Sequence, residues 1–118
     1  MFFNKHLIYL LFFLISSCSY HNGVYIKNDT EKKLSVNVQF KTNKGYSDLN
    51  FSLDANDYDA WEYEAGYYEK NQIDASLIKI VIKTESGCER TYSRDDIIKI
   101  SVKRGMWKIF INKELIKC

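Results

Sequence analysis

Apolar and polar residues alternate along several short stretches of this 118-residue chain. In the cleanest stretch, 34–41, leucine, valine, valine and phenylalanine are each followed by a polar residue. Such period-two alternation places the apolar side chains on one face of a β-strand, and that face must be covered. Similar stretches occur at 24–27, 49–53, 61–65, 77–83, 88–92, 98–102 and 107–111, with turn-forming residues between them.

Short strands without a long helical period favour an all-β fold, a small antiparallel β-sandwich of immunoglobulin-like or transthyretin-like arrangement. A small closed barrel is the alternative. The segment Ser93-Arg94-Asp95-Asp96 has the pattern of a helix N-cap followed by an acid at the third helical position. It predicts one short helical turn near 94–98, after which Ile98, Ile100 and Val102 would continue the alternation.

The first 18 residues follow a different pattern. Lys5 and His6 precede the apolar run Leu7–Ile15, which is far shorter than the roughly 20 residues that a membrane-spanning helix needs. A short basic start, a short apolar run and small residues after it are typical of a cleavable secretory signal. The tetrad Ile15-Ser16-Ser17-Cys18 resembles the lipobox of bacterial lipoproteins.

This resemblance implies that Cys18 is lipidated and becomes the first residue of the mature chain. It divides the sequence into a lipoprotein signal peptide at 1–17, a lipid-anchored tether at 18–23 and a β-sandwich domain at 24–118. Because Ser19 and not aspartate follows the cysteine, the pattern resembles that of lipoproteins sent to the outer membrane, here facing the periplasm. An ordinary secretory signal that leaves a free thiol, and an uncut N-terminal anchor, remain as alternatives.

Two further cysteines, Cys88 and Cys118, remain once Cys18 is assigned to the lipid. An even remainder in an oxidising compartment predicts one disulfide, and two unrelated thiols are the alternative. Two sulfurs and the single mature histidine, His21, do not make a four-ligand zinc site. No metal and no cofactor is therefore expected. Residues 18–118 carry 16 basic and 15 acidic side chains, so nucleic acid is not an expected partner either.

Acidic and aromatic residues are interleaved from Asp54 to Asp74, where seven acids face the single base Lys70. Three interpretations compete: aromatic residues filling the core beside a solvated acidic face, a protein-binding surface, and an irregular calcium site around Asp54, Asn56 and Asp57. In the second interpretation the side chains that would contact a partner are Tyr58, Glu62, Glu64, Tyr67, Tyr68 and Glu69.

The function expected first is that of a non-enzymatic protein-binding module, anchored in the membrane by its lipid and docking on another envelope or periplasmic protein. Small outer-membrane lipoproteins of secretion machines, including the type VI secretion lipoprotein, look similar in general plan, although no motif matches them. An inhibitor or immunity lipoprotein acting on a periplasmic toxin or lysozyme is the alternative. Catalysis by a carboxylate pair such as Glu62 and Glu64 has the least support, and we expect no enzyme.

Overall fold

The computed structural model describes residues 20–69 and 71–118, without the side chains of Tyr20, His21 and Tyr67. Cys18 and the rest of the lipobox lie outside these residues. The strands are β1 (Tyr20–Asn28), β2 (Leu34–Thr42), β3 (Gly45–Leu53), β4 (Tyr58–Ala65), β5 (Leu77–Thr84), β6 (Glu89–Ser93), β7 (Ser101–Arg104) and β8 (Met106–Ile111). Within the described residues the helical elements are the α-helix α1 (Arg94–Ile100) and two 3-10 helices, Tyr67–Glu69 and Lys113–Ile116. Across the described residues, none of these helices has the length and apolarity needed to cross a bilayer.

The strands form two four-stranded sheets with the orders β4-β1-β8-β7 and β3-β2-β5-β6. Each sheet turns one face of alternating apolar side chains inward, as the period-two stretches predict. The buried core joins both sheets, with Val24 and Ile26 of β1 packed in the same cluster as Val36 and Val38 of β2. This arrangement confirms the predicted small all-β sandwich.

The first strand begins earlier than the sequence predicts. The segment 18–23 is expected to be a tether, but β1 starts at Tyr20 and its first residues pair with the end of β4, from Tyr20 opposite Ala65 to Gly23 opposite Glu62. The polar residues of this segment lack the alternation that marks a strand, so only its tertiary pairing reveals it. Strand β1 therefore includes residues 20–23, which the sequence pattern assigns to the tether, and His21 belongs to a strand.

One strand pair departs from the predicted antiparallel arrangement. Strand β1 pairs in parallel with β8, with Val24 opposite Trp107 and Asn28 opposite Ile111. Alternation along each strand cannot reveal the direction of its neighbour, because both directions use the same period of two.

The helical turn predicted near 94–98 is a longer helix, Arg94–Ile100. Ser93 accepts a hydrogen bond from the backbone of Asp96, and the Asp96 side chain accepts one from the backbone of Ser93, which is a complete capping box. Ile98 and Ile100 are therefore helical, although the alternation predicts that they belong to a strand. The helix buries Ile97 in the core, which explains why the segment packs as a helix.

Loops gather at the two ends of the sandwich. The N-terminal pole carries the start of β1, the β2–β3 turn at 42–45, the segment 66–76 and the β7–β8 turn at Gly105. Its parts are linked by the backbone bond from Lys41 N to Ser76 O, 2.8 Å, and by the close approach of Met106 to Gly23. The opposite pole carries the loops 29–33, 54–57 and 85–88 and the tail 112–118.

Candidate functional site

Strand β4 lies at the edge of its sheet and separates the acidic aromatic stretch into two faces. Trp61 and Ala65 are buried and Tyr63 is half-buried, because odd-numbered residues of this strand point inward. Tyr58, Glu62 and Glu64 are exposed on the outer face, as even-numbered residues must be. The stretch therefore supplies core aromatics beside a solvated acidic face, as the first interpretation expects, and the protein-binding interpretation stays a prediction.

The outer face of this sheet continues from β4 onto β1 and β8. The Tyr25 ring packs 5.0 Å from the ring of Tyr58 and 6.3 Å from that of Phe110. Tyr58 is 60% exposed and Phe110 is 38% exposed. We call the outward side chains of Tyr25, Tyr58, Glu62, Glu64 and Phe110 the β4 face.

A shallow hollow of about 440 Å³ interrupts the sheet surface beside the aromatic cluster. It forms where Gly23 and Ala60 bring almost no side chain to the surface, between Glu62 on one side and Met106 on the other. A Cβ on Gly23 would lie 2.7 Å from the Met106 methyl carbon, so a larger residue at this position would displace the end of the Met106 side chain. The β4 face thus combines exposed rings, two carboxylates and a recess.

Tyr68 and Glu69, two other predicted contact residues, lie away from this face. They belong to the 3-10 helix at the N-terminal pole, where the Tyr68 side chain is 92% exposed. The side chain of Tyr67 lies outside the described part of the structure. The six predicted contact residues therefore do not form one patch: Tyr58, Glu62 and Glu64 share the β4 face, and the 3-10 helix is separate.

Asp74, the last acid of the stretch, is an internal structural group. It is 6% exposed, and its carboxylate accepts hydrogen bonds from Trp61 Nε1 at 3.1 Å and from the Ser76 backbone at 3.0 Å. Arg94 fixes the same segment from the other side by donating to the carbonyls of Ile73 and Asp74. These bonds hold the loop 71–76 against the core.

Tyr63 contributes to the same internal network. Its hydroxyl donates to the carbonyl of Gln72 at 3.0 Å. Burial raises the pKa of the Tyr63 phenol above its ordinary value of about 10, and the neighbouring Asp74 carboxylate raises it further. The phenol therefore stays protonated at neutral pH and keeps its role as a hydrogen-bond donor.

Asp57, just before β4, and Asp59, near its start, bond to the backbone of the strand. The carboxylate of Asp57 accepts from Tyr58 N at 3.0 Å, and that of Asp59 accepts from Ala60 N at 2.8 Å. Asn56 adopts a left-handed conformation with φ of 64° and donates its backbone N–H to Asn28 O. Over residues 20–69 and 71–118, no three His, Cys, Asp or Glu side chains come together in a group that could hold a metal ion.

Cys88 and Cys118 form the disulfide that the cysteine count predicts, with their Cα atoms 6.1 Å apart. A cleft of about 490 Å³ lies beside it at the opposite pole, lined by Lys32, Lys113 and Lys117 together with Thr84 and Ser86. Sequence reasoning misses this cleft because its walls come from three distant segments. It also misses Tyr25 and Phe110, although their alternation with Val24, Ile26, Ile109 and Ile111 could have placed both on an outer face.

Compared with protein-family models, with curated proteins and with solved structures, the chain matches none of them.

Proposed function

We propose that this protein is a lipid-anchored, non-enzymatic binding module of the bacterial cell envelope, and that it binds a protein partner through the β4 face. The observation that carries the proposal is a packed group of outward-facing rings, the exposed Tyr58 and Phe110 and the half-buried Tyr25, beside exposed carboxylates on an edge strand. Tyrosine and other aromatic residues are enriched at the centres of protein interfaces, where charged groups at the rim steer the encounter.

The lipid anchor in this proposal rests on the lipobox-like tetrad that ends at Cys18. A domain held at the membrane meets partners that are themselves in the envelope at a high effective concentration, so a surface of modest size is sufficient. An outer-membrane location facing the periplasm agrees with Ser19 and with the disulfide, which forms in oxidising compartments.

The surface also defines the chemistry of the partner. Glu62 and Glu64 favour basic groups opposite β4, while the rings and the hollow beside Gly23 favour an apolar side chain that enters the recess. Lys108 lies 6.0 Å from the centre of the Tyr25 ring, so the basic side of the face lies on β8 and the acidic side on β4. We therefore propose a partner patch with an apolar centre and with basic residues on the side that meets β4.

Affinity capture from detergent-solubilised envelopes tests the proposal. The bait is the lipidated protein, compared with the double variant Tyr58→Ala, Glu62→Lys. Loss of a central tyrosine at an interface costs about 2 kcal/mol or more, so we expect the dissociation constant of the captured partner to rise about 30-fold.

A matched control changes the same residue types on the other sheet. Tyr46→Ala with Asp48→Lys alters an exposed tyrosine and an exposed acid on the edge strand β3. This variant should retain the partner. Equal losses in both variants, or equal retention in both, would contradict binding through the β4 face, and unfolding monitored by tryptophan fluorescence checks that both remain folded.

A further inference from the structure

The N-terminal pole of the sandwich lies close to the residue that resembles a lipidation site. Cys18 precedes the first residue of β1, Tyr20, by two positions, and two residues span at most about 7 Å. No long tether separates the strand from Cys18, whereas the predicted boundary at residue 24 would have allowed one. A lipid on Cys18 would therefore bring this pole, and not the opposite one, to the bilayer surface.

Two of the loops at this pole carry basic residues without acids. The β2–β3 hairpin has Lys41 and Lys44 and no acid from residue 41 to residue 47, and the β7–β8 turn has Lys103 and Arg104 and no acid from residue 103 to residue 108. All four basic side chains are exposed. The third loop, described at 66–69 and 71–76, adds the exposed Glu69 and the buried Asp74.

Exposed tyrosines accompany these bases. Tyr46 on the hairpin is 77% exposed with Lys41 Nζ 5.8 Å from its ring centre, and Tyr68 on the 3-10 helix is 92% exposed. Tyrosine is enriched at membrane–water interfaces because its ring is apolar and its hydroxyl is polar. Lysine and arginine near a membrane are attracted to anionic headgroups.

From this placement we infer that the N-terminal pole docks on an anionic lipid surface, with Tyr46 and Tyr68 at headgroup depth and with Lys41, Lys44 and Arg104 facing the phosphates. The inference rests on the lipid anchor of the proposed function, and it adds an orientation. The sandwich stands on its N-terminal pole, and the opposite pole with the disulfide and its lysine-lined cleft points away from the membrane.

The test uses the lipidated mature protein in nanodiscs of phosphatidylethanolamine and phosphatidylglycerol, with a nitroxide lipid headgroup as the probe. Amide NMR signals of Asn43–Tyr46 and Tyr68 should be attenuated, and those of Glu114–Lys117 should not. In Lys41→Glu, Lys44→Glu, the ratio of docked to undocked protein should fall about 25-fold or more, since each of the two bases near an anionic surface contributes roughly a factor of five.

The matched control places the same charge change at the opposite pole, as Lys113→Glu with Lys117→Glu, and it should leave the attenuation unchanged. Attenuation that is uniform, absent or strongest at 114–117 would overturn the orientation. Mass spectrometry of the same sample separates the two proposals: an unacylated Cys18 overturns the anchor and the orientation together. An acylated Cys18 without the expected pattern overturns the orientation alone.

Discussion

The side chain of Asn28 connects the loops 29–33 and 54–57 at the pole opposite the N-terminal one. Its side chain is fully buried, and its Nδ2 donates to the carbonyls of Lys32, Leu53 and Asp54 at 2.6, 3.1 and 3.1 Å. Its Oδ1 accepts from the backbone and from the hydroxyl of Thr30. One amide thus ties the end of β1 to the loop after it and to the connection between β3 and β4.

Replacing this amide should destabilise the domain strongly. Asn28→Ala leaves several part-buried carbonyls without a donor, so we expect the free energy of unfolding to fall by about 3 kcal/mol. Urea unfolding followed by tryptophan fluorescence measures this loss. Asn37→Ala is the control, because its amide bonds to Asp48 and Asn50 lie at the exposed surface and should contribute less than about 1 kcal/mol. Similar losses in the two variants would contradict this role of Asn28.

Sequence reasoning treats Asn28 as part of a turn and Asp74 as one of seven similar acids. Both are buried, and both are satisfied by partners far away in the chain, such as Leu53 for Asn28 and Trp61 for Asp74. A pattern of neighbouring residues carries no information about such partners, so composition predicts an acidic stretch but cannot identify the internal acid in it.

At the scale of elements, alternation predicts most strands because each buries one face. Alternation is misleading where tertiary packing determines the bounds, the type or the direction of an element. Alternation from Ile80 and Ile82 extends to Ile78, but a bulge pairs Gln39 with Lys79 and Phe40 with Leu77, so Leu77 takes the inward position. The start of β1, the length of α1 and the direction of β8 are missed for the same reason: each depends on a partner strand or on the core.

The edge strand β4 is partly closed to further strand pairing. The carboxylates of Asp57 and Asp59 accept the N–H groups of Tyr58 and Ala60, which an incoming strand would otherwise use. Charged residues on edge strands are a common protection against edge-to-edge association. Asp57, which the sequence indicates as a candidate calcium ligand, therefore protects the edge together with Asp59.

Removing both carboxylates should allow the β4 edge to pair with a strand of another molecule. We expect Asp57→Ala with Asp59→Ala to self-associate at concentrations at which the wild type is monodisperse, as measured by sedimentation velocity. Asp54→Ala with Glu69→Ala removes the same number of charges without exposing these N–H groups, and it should behave like the wild type. Equal association of the two variants would assign the effect to net charge and not to the edge.

At the scale of the whole molecule, the disulfide joins the β5–β6 turn to the end of the chain. The bridge closes a loop with a sequence separation of 30 residues. Arg90 and Tyr92 of β6 also donate to the carbonyls of Lys117 and Leu115, so the tail is held by side chains as well as by the bridge. Cysteine counting predicts the pairing because two cysteines allow only one, but it does not predict these additional bonds.

Removing the bridge should lower stability without unfolding the sandwich. The chain-entropy model predicts a loss of about 3 to 4 kcal/mol for Cys88→Ser with Cys118→Ser. Urea unfolding measures this loss, and hydrogen exchange at Leu115–Lys117 should increase more than exchange at the core strand β2. A loss below about 1 kcal/mol would mean that Arg90 and Tyr92 hold the tail without the bridge.

The parallel pairing of β1 with β8 also determines when the domain can be completed. The chain is synthesised from its N-terminus, so the first strand of the sandwich has to wait for the last strand before its sheet can close. Until β8 has been synthesised, Val24 and Ile26 of β1 are not covered on the side that β8 occupies. Both residues are fully buried in the finished domain. Such late, distant pairing slows folding and leaves apolar surface open to aggregation until residue 111 has been synthesised.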